Sequence, residues 1–405
     1  MENRHIPEIR FPGFNGHWEL CKLKDISKIY DGTHQTPKYT DSGIKFVSVE
    51  DINDIEASNK YISIEDYETQ FKNKPEVGDI FMTRITAGVI GATAVIESDE
   101  PFAYYVSLAL IKPNKNNSGL FVSSYISTKG FKKELNKRII HTAFPKKINL
   151  LDIGECSILK PQEEEQIKIG GFYKKLDETI AFHEQELTTL KKTKQGFLQK
   201  MFPKEGESVP EIRFPGFTGD WQQRMFGNAV DISTNMVDPK TGKYDSLLHI
   251  GPGNIESFTG RVLNNVKTVR EENLISGKFY FKPGDIIYGK INPQLGKYAM
   301  PDFEGLSSAD AYVLNSKNDV IQSYLYTILQ TSNFFEYSVS VSMRTGMPKI
   351  NREELNQYIF MAPSVKEQTQ IGNFFKHLDD IIALHQQELD ALKETKKAFL
   401  QKMFV

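Results

Sequence analysis

Apolar residues recur at alternating intervals of three and four positions in two long stretches of the chain. The first covers residues 164–201, which contain no proline, and the second repeats the pattern within 363–405. A repeat of about 3.5 residues places these side chains on one narrow stripe of an α-helix, as in a coiled-coil seam. We therefore predict two long helices, with the seam residues Leu176, Ile180, His183, Leu187, Leu190 and Phe197 in the first and Leu378, Ile382, His385, Leu389, Leu392 and Phe399 in the second.

Neither predicted helix can bury its seam alone, so the simplest partner of each is the other. Antiparallel pairing is expected because a globular segment separates the two helices along the chain. At about 1.5 Å per residue, some ~38 residues form a rod of roughly 57 Å. His183 and His385 lie on the seam, where a polar residue that fixes the register of the pair is favoured over a metal ligand. No metal site is predicted.

The segments between these stretches have a different pattern. Residues 20–160 and 223–360 contain short runs of β-branched and aromatic residues, separated by Gly, Pro, Asn and Asp. Such runs predict β-strands joined by turns. One helix is expected late in each segment, over residues 123–138 and 322–335. The predicted fold class is α+β, with two β-rich mixed globular domains joined by two long antiparallel coiled-coil helices.

The chain is a tandem duplication. The octapeptide PEIRFPGF occurs at residues 7–14 and again at 210–217, and Trp18 and Trp221 follow the two copies at the same distance. The aromatic residues of this segment are expected to dock the start of each globular domain onto a fixed part of the molecule. The internal pseudo-twofold repeat predicts four consecutive parts, which are a domain at 1–160, a helix at 161–203, a domain at 204–362 and a helix at 363–405.

The two copies have diverged unevenly. GDIFMTRI at 78–85 matches GDIIYGKI at 284–291, and the long helices align without a gap, whereas most of the intervening sequence differs. This pattern indicates a constant scaffold that carries two different recognition domains. Neutral drift in loops is the alternative interpretation.

Composition limits the class of protein without identifying it. The 405 residues are 39% hydrophobic and 25% charged, with a net charge of −2 and two cysteines. These values predict a soluble protein of more than one domain, in a reducing cytoplasmic setting. A near-neutral total neither favours nor excludes nucleic-acid binding, because basic patches are local.

Motifs for catalysis are missing from the sequence. GDIIYGK at 284–290 resembles a phosphate-binding loop, but Ile291 occupies the position of the hydroxyl residue that would hold Mg²⁺. Neither paired cysteines nor an H-E-x-x-H motif occurs, and the signatures of adenine methyltransferases are absent. The chain is therefore interpreted as a binding protein rather than an enzyme, although a hydrolase with an unrecognised pair of carboxylates stays open.

DNA is the natural candidate for a target with two separate recognition patches. Residues 129–147 hold seven Lys and Arg residues against one acid, so Lys132, Lys133, Lys146 and Lys147 are predicted to contact phosphates. Loop side chains that can hydrogen-bond to base edges are the other candidates. They are His34, Gln35, Thr36, Lys38, Thr83, Arg84 and Thr86 in the first domain, and Asn235, Lys240, Lys290, Asn292, Gln294 and Arg344, with Lys349, in the second. A surface position without DNA contact is the alternative for each.

The paired PEIRFPGF segments, the paired GDI strands, the P-K-(K)-I-N sequences and the FLQKMF helices together resemble the specificity subunit of a type I restriction–modification system. The resemblance implies two target recognition domains that each read one half of a bipartite double-stranded DNA sequence. It further implies that the helices set the spacing and dock two methyltransferase subunits, and that endonuclease/translocase subunits join them. The chemistry, with S-adenosylmethionine, ATP and Mg²⁺, would reside in those partners.

Two other functional classes remain open at this point. One is a duplicated protein-interaction scaffold without direct DNA contact, and the other is a nuclease or methyltransferase that acts by itself. Steep salt dependence of duplex binding would distinguish DNA recognition from the scaffold.

Overall fold

The computed structural model describes residues 5–35, 37–343 and 346–405. The chain divides into two compact units. The first unit comprises residues 1–183 and 389–405, and the second comprises residues 184–388. Both divisions fall inside the long helices, so each unit contains one globular domain and a segment of each helix. The predicted four-part division, in which each long helix is a part of its own, follows the chain rather than these units.

Two helices of 38 residues each, Glu163–Lys200 and Val365–Lys402, match the stretches with the 3.5-residue repeat. Acidic residues lie in the first turn of both helices and a lysine ends both, which suits the helix dipole. Every predicted seam residue is buried or half-buried. The predicted seam residues thus lie on the covered side of each helix.

Within the first unit, the two long helices pack against each other in antiparallel directions. The rings of Phe172 and Phe399 lie 5.1 Å apart, and the Lys396 ammonium group binds the Asp177 carboxylate. The contact partner moves back along the second helix as the position advances along the first. The expected antiparallel pairing is thus observed in this unit.

The second unit repeats this arrangement with the other halves of the helices. The rings of Phe197 and Phe374 lie 5.1 Å apart, and Lys194 binds Asp379. His385 belongs to the same seam, where its Nδ1 lies 3.7 Å from a carboxylate oxygen of Glu186 on the first long helix. This contact agrees with a polar seam residue that favours one register.

An arginine of each PEIRFPGF segment attaches the segment to the start of a long helix. The Arg10 guanidinium donates two hydrogen bonds of 2.6 Å to the Glu165 carboxylate. Arg213 donates equivalent bonds of 2.7 and 2.8 Å to Glu367. Both glutamate side chains are only 1% exposed. We call these two contacts the arginine–glutamate pairs.

Aromatic residues complete the attachment of each segment. The ring of Trp18 meets that of Phe404 edge to face at 6.1 Å, and Trp221 meets Phe202 in the same way at 5.9 Å. Both phenylalanines belong to the FLQKMF ends of the long helices. The expected aromatic docking of each segment onto a constant element is confirmed.

The globular domain of the first unit contains a four-stranded antiparallel sheet, which we call its central sheet. The strands lie in the order Ser27–Asp31, Leu108–Pro113, Ile80–Thr83 and Thr93–Val95. A second sheet has the order Tyr39–Thr40, Tyr61–Ile62, Ile44–Val47 and Phe102–Tyr104, and its last two strands run parallel.

Both faces of this central sheet are buried. Phe81 and Leu110 pack in a hydrophobic cluster with Phe46 of the second sheet, while Ile80 and Ile111 pack in a cluster with Trp18 and the helices. Strands covered on both sides lose the alternation of apolar and polar residues that marks a half-exposed strand. The central sheet therefore forms the middle layer between the second sheet and the helices.

The second unit has a central sheet of its own, with the same arrangement of four strands but different residues. Its strands lie in the order Val230–Ile232, Ala311–Ser316, Ile286–Gly289 and Tyr298–Ala299. Its second sheet has one more strand than that of the first unit, and the order is Met236–Val237, Lys278–Phe281, Gly305–Ser307, Leu248–Ile250 and Lys267–Thr268.

A two-stranded antiparallel sheet joins the beginning and end of each globular domain. Glu19–Lys22 pairs with Ser157–Lys160 in the first unit, and Gln222–Met225 pairs with Ile359–Ala362 in the second. The chain therefore enters and leaves each domain at one place.

Shorter elements complete both units. In the first unit they are the helices Leu23–Ile26, Ile64–Gln70, Gly119–Ile126, Lys129–Asn136 and Leu150–Gly154, the 3₁₀ turn Ile55–Ala57, and the strands Ile85–Thr86 and Lys146–Lys147. In the second unit they are the helices Phe226–Ala229, Gln322–Ile328, Ser332–Ser342 and Arg352–Gln357, and the 3₁₀ turns Pro239–Thr241, Pro252–Asn254 and Pro293–Leu295.

The single helix predicted late in each globular domain is in fact two helices. The Thr128 hydroxyl accepts a hydrogen bond from the backbone N–H of Phe131, and Thr331 does the same for Phe334. A threonine in this role caps the start of a helix, so it ends the preceding one. Among the described residues, no helix has the length and apolar character needed to cross a membrane.

Candidate nucleic-acid interface

Several of the predicted DNA-binding residues of the first unit follow strands that end at the same edge of the central sheet. The strand Ser27–Asp31 ends at Asp31, opposite Ala109, and the strand Ile80–Thr83 ends at Thr83, opposite Leu108. The chain continues from both strands into the segments that hold His34 and Thr86. We call this edge the recognition edge of the first unit.

Arg84 lies at this edge but is 8% exposed, and its guanidinium is already used within the protein. It donates hydrogen bonds to the carbonyl oxygens of Val106 at 2.9 Å and Ile148 at 3.3 Å. Asp31 lies 3.9 Å away. Burial lowers the pKa of Arg84, and the Asp31 charge opposes this shift. The prediction that Arg84 reads a base is therefore corrected, because this side chain joins three loops of the edge.

Thr83 is likewise a structural residue. It is 2% exposed, and its hydroxyl donates to the carbonyl of Val89 at 2.7 Å while accepting from the N–H of Ala92 at 3.0 Å. These bonds close the hairpin that follows the strand. The prediction of a DNA contact for Thr83 is wrong on this placement. Gly289 stands at the equivalent position of the second copy.

Three other predicted residues of this loop region are accessible. His34 is exposed, and its Nε2 lies 2.8 Å from a carboxylate oxygen of Asp31. Gln35 and Lys38 are exposed in the same segment. Thr36 lies outside the described residues. His34 is thus held next to the arginine-linked loops, while Gln35 and Lys38 flank it.

A short β-ribbon extends this edge. The strand Lys146–Lys147 pairs with Ile85–Thr86, so that Lys146 lies opposite Thr86, and the N–H of Ile140 donates to the carbonyl of Lys147 at 2.8 Å. Both lysines are exposed, and Thr86 is half-buried with its hydroxyl accepting from Gly88. The ribbon therefore presents Lys146 and Lys147 beyond the end of the central sheet.

The helix Lys129–Asn136 adds two further cations. Lys132 and Lys133 are exposed on it. Glu134 instead binds Lys137 at 2.7 Å and Arg138 at 2.8 Å, and these two cations lower the pKa of its carboxyl group. Two of the seven cations of this basic stretch are therefore paired, and no ion pair is found among the described residues for the other five, which are Lys129, Lys132, Lys133, Lys146 and Lys147.

Lys290 of the second unit occupies the position of Arg84. The N–H of Ile350 donates to the carbonyl of Lys290 at 3.1 Å, as the N–H of Ile148 does to that of Arg84 at 3.0 Å. The side chain differs in its surroundings, because its ammonium group lies 5.2 Å from the centre of the Tyr312 ring. A cation on an aromatic face is stabilised without being neutralised.

The charges around Lys290 are mainly positive. Burial lowers its pKa, and the charges of Lys349 and Arg352 lower it further, whereas Asp310 opposes them. Arg352 also packs on the Tyr312 ring at 5.4 Å, and it was not predicted from the sequence. Its guanidinium donates to two backbone carbonyls at 2.8 and 2.7 Å. This group of cations, of which Lys290 and Arg352 are half-buried, favours an anion beside Lys290.

Other predicted residues of the second unit surround Lys290. Lys349 is exposed and is bridged to Ile291, next in sequence to Lys290. Asn292 has a backbone φ of 51°, and its N–H donates to the carbonyl of Pro348 at 2.8 Å. Gln294 is exposed, with its amide 3.4 Å from the Asn292 side-chain oxygen. These side chains form a compact polar group.

Three further predictions in this unit have other outcomes. Asn235 is exposed in the loop after the strand Val230–Ile232, which is the equivalent of the loop that holds His34. Lys240 is exposed on the 3₁₀ turn Pro239–Thr241, and no contact ties it to the Lys290 group among the described residues. Arg344 lies outside the described residues.

Each unit therefore has donor groups at the same end of its central sheet, on loops supported by rigid strands. Ammonium, amide and imidazole groups of this kind can donate hydrogen bonds to phosphate oxygens and to base edges. The arrangement is suited to recognition of a polyanion.

Comparison with known proteins agrees with the duplicated architecture. The family model described as "Type I restriction modification DNA specificity domain" matches residues 15–192 and 220–394. The EcoDI specificity subunit of an Escherichia coli type I restriction enzyme is 28% identical over 282 residues, and the aligned part covers 62% of this chain and 62% of that relative. A Methanocaldococcus jannaschii chain assigned as the MjaX specificity subunit is 24% identical over 95% of this chain and 92% of its own length.

A solved structure shows the same fold. The crystal structure of the S subunit of a type I restriction–modification system from M. genitalium has a TM-score of 0.69 to this chain, at 11% identity, over 99% of both chains. The two matched regions of the family model also correspond to the two copies of the internal repeat. This chain belongs to the type I restriction modification DNA specificity domain family, with one copy of the domain in each half of its sequence.

Proposed function

We propose that this chain is the DNA-specificity subunit of a type I restriction–modification complex and has no catalytic activity of its own. Each globular domain reads one half of a bipartite duplex sequence, and the long helices set the distance between the half-sites. The supporting observation is the position of the donor side chains. In each unit they lie at the equivalent end of that unit's central sheet, which we call its recognition edge, but the side chains themselves differ.

The partners and cofactors follow from this assignment. The long helices dock two methyltransferase subunits, and endonuclease/translocase subunits join that core. S-adenosylmethionine, ATP and Mg²⁺ belong to those partners, in the cytoplasm where the cell's DNA is found. The chain supplies position and sequence choice only.

Exchange of one domain tests the proposal. Residues 223–360 are replaced by the corresponding domain of another family member, and duplexes are selected from a randomised library by the wild-type and exchanged chains. Wild-type chains should select a sequence of two conserved blocks separated by a non-conserved spacer, and the exchange should alter one block only. Altered bases in both blocks would contradict independent reading by two domains.

A scaffold that holds only proteins gives a different result. It would select no sequence, and its weak association with duplex DNA would not distinguish one library member from another. A purified chain that methylated or cleaved DNA without added subunits would overturn the non-catalytic assignment. Methylated adenines mapped in cells that carry the chain and its methyltransferase would then identify both half-sites.

A further inference from the structure

Phe144 is the feature of the first unit that its packing explains least. This side chain is 92% exposed, whereas the other phenylalanines of the same globular domain contribute largely to its core. Single exposed apolar residues are common and need no explanation by themselves. The surroundings of Phe144 are what give it significance.

Phe144 lies at the tip of the β-ribbon formed by Ile85–Thr86 and Lys146–Lys147. The loop leaves this ribbon at Ile140 and returns to it at Lys147, and Lys146 lies opposite Thr86. Phe144 precedes Lys146 by two residues in the turn that joins Ile140 to the ribbon. Its exposure of 92% shows that the side chain does not pack back onto the domain.

Two positive charges lie close to this tip. Lys146 and Lys147 are exposed next to Phe144 in the sequence, and no ion pair of either lysine is found among the described residues. The loop is also anchored, because His141 Nε2 lies 3.1 Å from the carbonyl oxygen of Asn136. An exposed aromatic ring beside two lysines is complementary to stacked bases flanked by phosphates.

The second unit has a large apolar residue in the equivalent place. Phe144-Pro145-Lys146 corresponds to Met347-Pro348 followed by Lys349, and Met347 is 64% exposed. Phenylalanine and methionine are both among the side chains that wedge between base steps. Two different residues of this kind at one position indicate a shared requirement for an apolar tip.

We propose that Phe144 is an apolar wedge that stacks against a base step of the bound duplex, while Lys146 and Lys147 hold the flanking phosphates. This inference rests on the proposed function. It adds a specific contact, because unstacking depends on the base step and so contributes to sequence choice at the site of insertion. The wedge also anchors the ribbon at one position on the duplex.

The test uses the full-length chain and a duplex that the wild-type chain has selected from a randomised library. 2-Aminopurine is placed at each position of this duplex in turn, because its fluorescence rises when it is unstacked. The wild-type chain should raise the fluorescence at one step. Phe144→Ala should abolish this rise and weaken binding by roughly 5- to 100-fold, in line with the stacking of one base.

Three control variants identify the cause. Phe144→Trp keeps a large ring and should retain both the fluorescence and the affinity. Phe182→Ala removes another exposed phenylalanine, which lies on the first long helix and is 56% exposed. This variant should change neither the fluorescence nor the affinity. Lys147→Ala should reduce the slope of log K against log salt by about 0.9, whereas Phe144→Ala should leave that slope unchanged.

The outcomes separate this inference from the function on which it rests. If the wild-type chain selects no duplex, the proposed function fails and the wedge fails with it. If the wild-type chain selects a duplex but Phe144→Ala binds it equally well with the same fluorescence, only the wedge is overturned. Loss of methyltransferase assembly in Phe144→Ala with unchanged duplex binding would also overturn it, in favour of a protein contact.

Discussion

The two units share one supporting structure and differ at the recognition edge. The arginine–glutamate pairs have nearly the same geometry, with hydrogen bonds of 2.6 Å in the first unit and 2.7–2.8 Å in the second. At the end of the central sheet, however, Arg84 is bound to backbone carbonyls, whereas Lys290 lies on an aromatic ring among other cations. The residues that attach the domain are thus the same in both copies, and the residues at the end of the central sheet differ.

The largest expected effect is the loss of stability when one of the arginine–glutamate pairs is broken. Arg10→Ala leaves Glu165 buried without a partner, and Arg213→Ala does the same to Glu367, so each should lower the free energy of unfolding of its own unit by about 3–5 kcal/mol. Each unit contains one buried tryptophan, Trp18 or Trp221. Urea unfolding of single-tryptophan variants, made with Trp→Phe, therefore reports on one unit at a time.

The control for this prediction removes the uncompensated charge. Arg10→Ala combined with Glu165→Gln should recover a substantial part of the lost stability, since the neutral amide is less costly to bury. Very unequal losses for Arg10→Ala and Arg213→Ala would show that the two attachments are not equivalent.

A second prediction compares two equivalent lysine–aspartate ion pairs, which are buried to different extents in the two units. Lys194 and Asp379 of the second unit are 9% and 19% exposed, but their equivalents in the first unit, Lys396 and Asp177, are 29% and 53% exposed. Lys194→Met should cost about 3 kcal/mol by leaving Asp379 buried and unpaired, and Lys396→Met should cost less than about 1 kcal/mol.

The same unfolding measurement checks this difference. Burial raises the pKa of Asp379 even with Lys194 beside it, so Asp379→Leu in the Lys194→Met background should restore stability. Equal losses in both units would mean that burial of the ion pair has no energetic consequence.

A third prediction compares the charge at the two edges. Lys132→Ala and Lys133→Ala together should reduce the slope of log K against log salt by roughly 2, and Lys349→Ala in the second unit should reduce it by about 1. These losses should be similar for all duplex sequences, because phosphate contacts carry no sequence information. Fluorescence anisotropy at several salt concentrations measures the slope.

Lys137→Ala is the matched control for this comparison. Lys137 is on the same basic stretch as Lys132, but it is bound to Glu134. Its loss should change the slope less than the loss of Lys132, and an equal or greater change would contradict the division of the stretch into paired and unpaired lysines.

The smallest expected effect is a pH dependence that only the second unit shows. The folded protein lowers the pKa of Lys290, so this group loses its proton at a lower pH than an ordinary lysine. A nearby phosphate favours the charged form, so binding takes up a proton once the pH exceeds that pKa. Log K for the second half-site should then fall by at most ~1 per pH unit.

Lys290→Arg provides the control, because a guanidinium stays charged throughout this range. The variant should bind the second half-site with little change between neutral and alkaline pH. A pH dependence that persists in Lys290→Arg would assign the effect to another group. Binding of half-site duplexes across the pH range gives the comparison.

The long helices could be predicted from the sequence because a 3.5-residue repeat is visible among neighbouring residues. It can be recognised without knowledge of the tertiary contacts. The burial of Thr83 and Arg84 could not be predicted in this way. A strand covered on both faces lacks the alternation of apolar and polar residues that would show which side chains face solvent. Arg352 was missed for a related reason, since the carbonyls that it binds belong to a strand about 120 residues earlier. Glu134, by contrast, is spaced three and four residues from its partners, and this neutralisation was readable from the sequence.

The two-stranded sheets at the base of the domains have a genetic consequence. Glu19–Lys22 is bonded to Ser157–Lys160, and Gln222–Met225 to Ile359–Ala362, so each domain is connected to the remainder by adjacent strands. A coding segment between these strands can be exchanged by recombination without moving the helices. Because the octapeptide PEIRFPGF precedes both segments and alignable long helices follow them, crossing over at those flanks would replace one domain in a single event.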